Sequence, residues 1–156
     1  IIWAKNTFTL GRSDYQRQYE PILYGWPEGA TRHWCGDRDQ DDVWHFNKPR
    51  VNDLHPTMKP VELVERAIRN SSRPGDVVLD PFGGSGTTLI AAEKAGRQAR
   101  LIELDPKYVD TIVRRWQDYT GVQAVREADG VKFDDLVGQQ ADAADASDVM
   151  DAEEAL

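Results

Sequence analysis

Val77-Val78-Leu79-Asp80-Pro81-Phe82-Gly83-Gly84-Ser85-Gly86-Thr87-Thr88-Leu89-Ile90-Ala91-Ala92 is the stretch that decides the fold. Two β-branched residues and a leucine read as a short buried strand, three glycines as a tight turn, and the small and apolar residues that follow as a helix. That helix spans residues 87–95 and stops at Gly96, a residue suited to the left-handed turn that ends helices. Residues 99–104 read as the next strand. Asp105-Pro106 then supplies an N-cap followed by proline at the first helical position. The helix runs to Tyr119, with Tyr108, Ile112, Trp116 and Tyr119 along one face, and Gly121 ends it. Upstream, Val61, Val64, Ala67 and Ile68 keep helical spacing behind Pro60, and Arg73-Pro74-Gly75-Asp76 turns the chain towards the strand. Strand, helix, strand, helix in this order predicts a right-handed parallel βαβ unit in an α/β fold.

Three ligands compete for such a glycine turn. A triphosphate loop needs a lysine directly after its last glycine; here Thr87-Thr88 follows Gly86, and the next lysine is Lys94. A dinucleotide turn needs a third glycine, and Leu89 stands in its place. The remaining ligand is S-adenosylmethionine, whose methionine end carries an ammonium, a carboxylate and a sulfonium. Asp80, at the end of the first strand, can accept from the ammonium. The glycines admit close backbone approach, and the helix N-terminus favours the carboxylate. Glu103, at the end of the second strand, can accept both ribose hydroxyls, near the spacing of a dinucleotide fold's ribose acid. The plainer alternative is that Asp80 and Glu103 cap loops while the glycines only turn the chain. The register of Asp80, Gly84, Gly86 and Glu103 on one βαβ unit favours the ligand.

The 156 residues suit one domain with a packed core, at 40% hydrophobic and 9% aromatic content. A single cysteine, Cys35, excludes an internal disulfide and fits a reducing cytoplasm. No apolar run approaches a membrane span, and no signal peptide is visible. The net charge of −8 is concentrated: residues 139–156 carry six acids and no base, leaving 21 acidic against 19 basic residues, a net of −2, before them. The Ala/Asp-rich tail is expected to be disordered. The near-neutral body neither predicts nor excludes a nucleic-acid partner. The first residue is Ile1, where a natural start would normally carry Met, so we expect one piece of a longer product. Residues 1–4 and 21–26 read as strands, 5–20 as a polar loop, and 27–56 as a long irregular connection.

Three segments together carry a resemblance: His55-Pro56-Thr57-x-Lys59-Pro60 with its helix, Asp80-Pro81-Phe82-x-Gly84-Ser85-Gly86-Thr87, and Leu101-Ile102-Glu103-Leu104-Asp105-Pro106. They closely resemble the DNA methyltransferases that modify adenine N6 or cytosine N4, and the likeness extends from Ile1 to about Ala124, most of the ordered chain. The resemblance implies a Rossmann-like, S-adenosylmethionine-dependent methyltransferase fold, N-terminally incomplete. It implies a permuted order in which residues 1–26 end the catalytic half, 27–54 are a target-recognition loop, and 55–138 bind the cofactor. It further implies that Asp80, Phe82, Gly84, Ser85, Gly86 and Thr87 line the cofactor pocket, with Glu103 on the ribose. Thr57 and Lys59 would meet the methionine carboxylate, a natural partner of a hydroxyl and an ammonium. Asp105 is a further candidate, explained equally well as a helix cap. The implied partners are double-stranded DNA and an N-terminal complement, in a cytoplasm of bacterial or phage origin and a restriction–modification setting.

One departure matters. The family's catalytic tetrapeptide, Asp/Asn/Ser-Pro-Pro-Tyr/Phe/Trp, occurs nowhere in these residues. Its polar groups accept from the target amine while its ring stacks on the flipped-out base. We expect it upstream of Ile1 and the isolated fragment to be inactive. The rival readings are a cofactor- or DNA-binding module that needs a second chain, and an RNA or small-molecule methyltransferase. In the long connection, Trp34 and Trp44 with Arg32, Arg38, Lys48 and Arg50 suggest stacking on bases and contact with phosphates. The competing expectation is a loop pinned to the body by its aromatics, its four aspartates pairing with its own arginines. His33, Cys35 and His45 lack zinc-site spacing, so no metal is expected.

Overall fold

The computed structural model describes residues 1–48 and 58–137. The expectations for Arg50, for His55-Pro56-Thr57 and for the acidic tail lie outside them. The chain forms two compact units, Ile1–Ile112 and Val113–Leu156.

In the first unit, β1 (Ile2–Thr9) lies between β2 (Arg17–Pro21), antiparallel to it, and β3 (Val43–His45), parallel to it. After α1 (Val61–Ser71) come β4 (Val77–Asp80), α2 (Thr87–Ala95) and β5 (Gln98–Leu101), and β4 pairs parallel with β5. The architecture is α/β, with the strand–turn–helix–strand order expected from the sequence. β5 ends earlier than expected, because the Ile102 carbonyl leaves the ladder to accept the Gly83 amide at 2.9 Å. The polar segment 5–20 is not a simple loop. Its two ends pair as a hairpin, and residues 22–26 lie beyond the strand expected there. Most of that hairpin is exposed on both faces, so it lacks the apolar alternation that would reveal a strand.

Helix α1 joins the two sheets. Its Ile68 packs with Ala91, Ala92 and Ala95 of α2, and Val61 and Val64 join Val78 and Ala99 against that cluster. Its Leu63 packs with Trp3 and Trp44 in a second cluster, flanked by Ala67. Alanines at the α2 contact let the helices approach closely: Ala91 and Ala92 are fully buried. Glu65 then takes both Arg69 at 2.8 Å and Lys94 at 3.0 Å. The buried Arg97 guanidinium ties the ends of both helices by donating to the Ser72 hydroxyl, the Ser72 carbonyl and the Ala95 carbonyl. A cation there meets the negative pole of two helix dipoles.

Helix α3 (Pro106–Thr120) begins in the first unit and runs into the second. There Gln117 accepts from the Ala124 amide and donates to Asp134, and Val125 bridges Lys132.

Gly86 has φ +78°, and a Cβ there would stand 3.2 Å from two side-chain carbons of Ile112 and 3.3 Å from its Cα. Gly96 has φ +71° with open space around it. Gly86→Ala should therefore lose about 3 kcal/mol of unfolding free energy and Gly96→Ala only about 1 kcal/mol. Urea midpoints of the two variants measure the difference, and equal losses would remove the role given to Ile112.

Candidate functional site

The turn after β4 and the chain after β5 enclose a cavity of about 320 Å³. Its walls include Met58, Lys59, Val64, Asp80, Phe82, Gly83, Gly84, Ser85, Thr87, Thr88 and Glu103. Sequence reasoning named seven of these: Lys59, Asp80, Phe82, Gly84, Ser85, Thr87 and Glu103. Gly86 stands behind the turn, packed on Ile112, and Asp105 is not among the lining residues.

Both acids are braced by the turn they flank. Asp80 Oδ1 accepts the Phe82 amide at 2.9 Å, and Oδ2 accepts the Thr88 hydroxyl at 2.5 Å. Glu103 Oε2 accepts the Gly84 amide at 2.7 Å, while Oε1 takes the amides of Leu104 at 2.9 Å and Asp105 at 3.0 Å. The loop-capping and ligand readings of these acids are therefore compatible. Each carboxylate fixes local backbone and still lines the cavity. Gly86 begins α2 in a left-handed conformation, and no acid stands in the first turn of that helix. The positive pole of the helix dipole thus lies beside the cavity without a side-chain counter-charge from that turn.

Lys59 reaches Glu20 Oε2 at 3.0 Å, and Lys5 reaches Glu20 Oε1 at 2.6 Å. Burial pushes the Glu20 carboxyl up, but hydrogen bonds from Lys5 and Lys59 and their charges outweigh it and hold it below the usual carboxylate range. Sequence reasoning missed Glu20, because a residue 39 positions from Lys59 leaves no local signal. Thr88 was also missed, although a second threonine opening a helix after Asp80 is a visible donor. Asp105 is the cap of α3: its Oδ1 accepts the Lys107 amide at 2.9 Å.

The long connection behaves largely as a pinned loop. Trp44, expected among the base-stacking rings, is a core residue at 3% exposure, and its indole donates to the Asp41 carbonyl. Arg66 of α1 lies over its ring at 4.5 Å and pairs with Asp41 at 3.5 Å, so that aspartate meets a helix arginine, not one of its own loop. Gln40 and the buried Asn70 exchange two side-chain hydrogen bonds. Trp34 is half-buried, edge-on to Tyr24, with exposed Arg32 over its ring. Arg38 is exposed and Lys48 half-buried. No cluster of three metal-ligating side chains occurs among the described residues, and none of their helices is long and apolar enough to cross a membrane.

Residues 1–114 match the family described as DNA methylase. The chain is 43% identical over 99 residues to Type II methyltransferase M.Cfr9I of Citrobacter freundii, covering 63% of this chain and 33% of that protein. It is 36% identical over 126 residues to Type II methyltransferase M2.MboI of Moraxella bovis, covering 78% of this chain and 42% of that one. Among solved structures, the M1.HpyAVI–SAM complex superposes with a TM-score of 0.63 at 29% identity, covering 74% of this chain and 59% of that chain. The chain spans about a third of the length of the first curated relatives it matches.

Two measurements test the site's local chemistry. Asp105→Ala should cost about 1 kcal/mol of unfolding free energy, the usual loss of an N-cap; an unchanged urea midpoint would discard the cap. Glu20 has a folded-state pKa below its unfolded value of 4.5, so its contribution is present above that pH and lost as pH falls through the folded value. Glu20→Gln should therefore flatten the acid limb of the stability curve, read by urea titrations at descending pH.

Proposed function

Because the chain belongs to the DNA methylase family, we propose that its cavity holds S-adenosylmethionine. We further propose that it is the cofactor-binding portion of an enzyme that methylates adenine N6 or cytosine N4 in duplex DNA. One observation carries this reading: two carboxylates at successive strand ends, a glycine turn opening a helix, and a lysine share one cavity. Each matches a part of the ligand. Asp80 accepts from the ammonium, Glu103 takes the ribose hydroxyls, and Lys59 with the α2 N-terminus meets the carboxylate. Ser85 and Thr87 line the turn, and the Phe82 ring, 86% exposed, offers an apolar surface to the purine. Thr57 and Asp105 remain candidates beside these. When bound, S-adenosylmethionine supplies an electrophilic methyl group; the residues here hold and orient it.

The groups that would accept from the target amine are a separate matter, since no Asp/Asn/Ser-Pro-Pro-aromatic tetrapeptide occurs in the 156 residues. We infer that a further polypeptide supplies them and covers the outer face of β4 and β5. Val78 and Ala99 face the helical core, so the opposite face carries Val77 and Leu79, 60% and 66% exposed, with Ile102 and Leu104 beyond β5 at 60% and 96%. Parallel strands are normally buried on both faces, and a two-stranded sheet is marginal alone. Duplex DNA is the proposed substrate, with Arg32, Trp34, Arg38, Lys48 and Arg50 the candidate contacts. The proposed setting is DNA modification in a bacterial or phage-infected cytoplasm, as for the Type II relatives. A second reading, a cofactor-holding module without activity of its own, is favoured by the same missing tetrapeptide.

Calorimetry should show S-adenosylmethionine binding to the wild-type chain, weakened about tenfold or more by Asp80→Ala and by Glu103→Ala, the loss expected of a charged hydrogen bond. A folded sample that gives no heat would remove the cofactor assignment. Tritiated-methyl transfer to duplex DNA should be absent with this chain alone and appear when a polypeptide bearing the tetrapeptide is added. Transfer by the chain alone would overturn the division of labour, and none after addition would leave the module reading.

A further inference from the structure

Lys5, Glu20, Lys59 and Trp3 form a cluster against the cavity wall that the proposed function does not itself require. Trp3 and Glu20 are cross-strand partners in β1 and β2. Lys5 lies over the Trp3 ring at 5.2 Å and Lys59 lies over it at 5.8 Å. The Trp3 ring is 2% exposed and its indole donates to the Phe46 carbonyl at 2.8 Å, so the platform is fixed. The Lys5 side chain is 7% exposed and that of Lys59 42%. Lys5 is thus the buried limb, Lys59 the limb that reaches the cavity, and Glu20 bridges them.

We propose that Glu20 is a positioning residue: anchored by Lys5, it holds the Lys59 ammonium at the cavity wall to receive the carboxylate of an amino-acid-bearing ligand. This rests on the cofactor reading above and adds to it the residue that orders the lysine. A lysine side chain carries large rotamer entropy, and ordering it in advance removes that cost from binding. Glu20 also bears a negative charge that would repel a ligand carboxylate. Lys5 at 2.6 Å offsets that charge, so what Glu20 contributes at the cavity is its hold on Lys59. The ammonium has three donors and Glu20 Oε2 takes one, which leaves Lys59 able to serve Glu20 and a ligand together. The three charges sum to one positive charge, and a ligand carboxylate completes a neutral quartet. The lowered pKa of the Glu20 carboxyl agrees with a charge held between two ammonium groups.

The test titrates two probes by calorimetry into wild type, Glu20→Ala, Lys59→Met and the double variant. One probe is S-adenosylmethionine; the other is 5′-methylthioadenosine, which keeps the nucleoside and lacks the amino and carboxyl groups. Glu20→Ala should weaken S-adenosylmethionine about fivefold to tenfold. The double variant should bind no more weakly than Lys59→Met, because the two residues act through one contact. Methylthioadenosine should bind all four proteins alike. Glu20→Gln keeps the shape and one acceptor; it should give a smaller loss, and it serves as the folded alternative if the alanine variant unfolds. Unchanged or tighter S-adenosylmethionine binding in the Glu20 variants overturns the positioning role, as does an equal loss with methylthioadenosine. A wild-type protein that binds neither probe instead overturns the cofactor reading beneath it.

Discussion

The Glu103 carboxylate, gathering the amides of Gly84, Leu104 and Asp105, is the contact on which the site's shape depends. A strand end and a glycine turn are both loosely specified by their own backbone. Three amides on one carboxylate, with the Gly83 amide on the Ile102 carbonyl, turn them into a single braced corner. Charge-assisted bonds of this kind are among the stronger ones available to a partly exposed loop. Asp80 repeats the device on the neighbouring strand, capturing the Phe82 amide and the Thr88 hydroxyl. Two acids at successive strand ends therefore organise the backbone of the cavity that they also charge.

Helix α1 carries that corner. Its faces serve two hydrophobic clusters, one with α2 and one with the Trp3–Trp44 pair, so the sheet bearing the Lys5–Glu20 pair and the sheet bearing the glycine turn share one packed element. The chain reaches the cavity at Met58 and Lys59, immediately before α1 begins at Val61. Whatever fixes α1 also fixes where Lys59 enters. Glu65 bridging Arg69 and Lys94, and Arg97 on the carbonyls at both helix ends, lock α1 against α2.

The sequence was most legible where structure is local. Strand, turn and helix from Val77 to Ala95, the stop at Gly96 and the cap at Asp105 are all set by neighbours within a few residues, and the positive φ of Gly86 and Gly96 agrees with their turn roles. It was least legible where partners are distant. The hairpin over residues 5–20 carries few buried positions, so periodicity could not distinguish it from a loop. Trp44 looked like a base-stacking ring because it stands among arginines and aspartates; only the fold brings Trp3 and Leu63 against it. Glu20 and Lys59 meet through a hairpin and a helix start, and neither residue announces the other.

The charges around the cavity make one last selection. Asp80 and Glu103 give it two formal negative charges, and the Lys5–Glu20–Lys59 cluster returns one positive charge, a sum of −1 among these described residues. A free dinucleotide or triphosphate is strongly anionic and would meet two acids with a single excess lysine charge to offset them. S-adenosylmethionine carries an ammonium, a sulfonium and a carboxylate, a formal sum of +1, with its opposite charges at one end of the molecule. A cavity with carboxylates on the turn and an ammonium entering from the start of α1 favours that zwitterionic end in one orientation. Charge sign thus excludes the same two ligands that the absent lysine after Gly86 and the leucine at position 89 exclude by loop chemistry. The two arguments are independent, since one rests on residues within the turn and the other on the Lys5–Glu20–Lys59 cluster beside it.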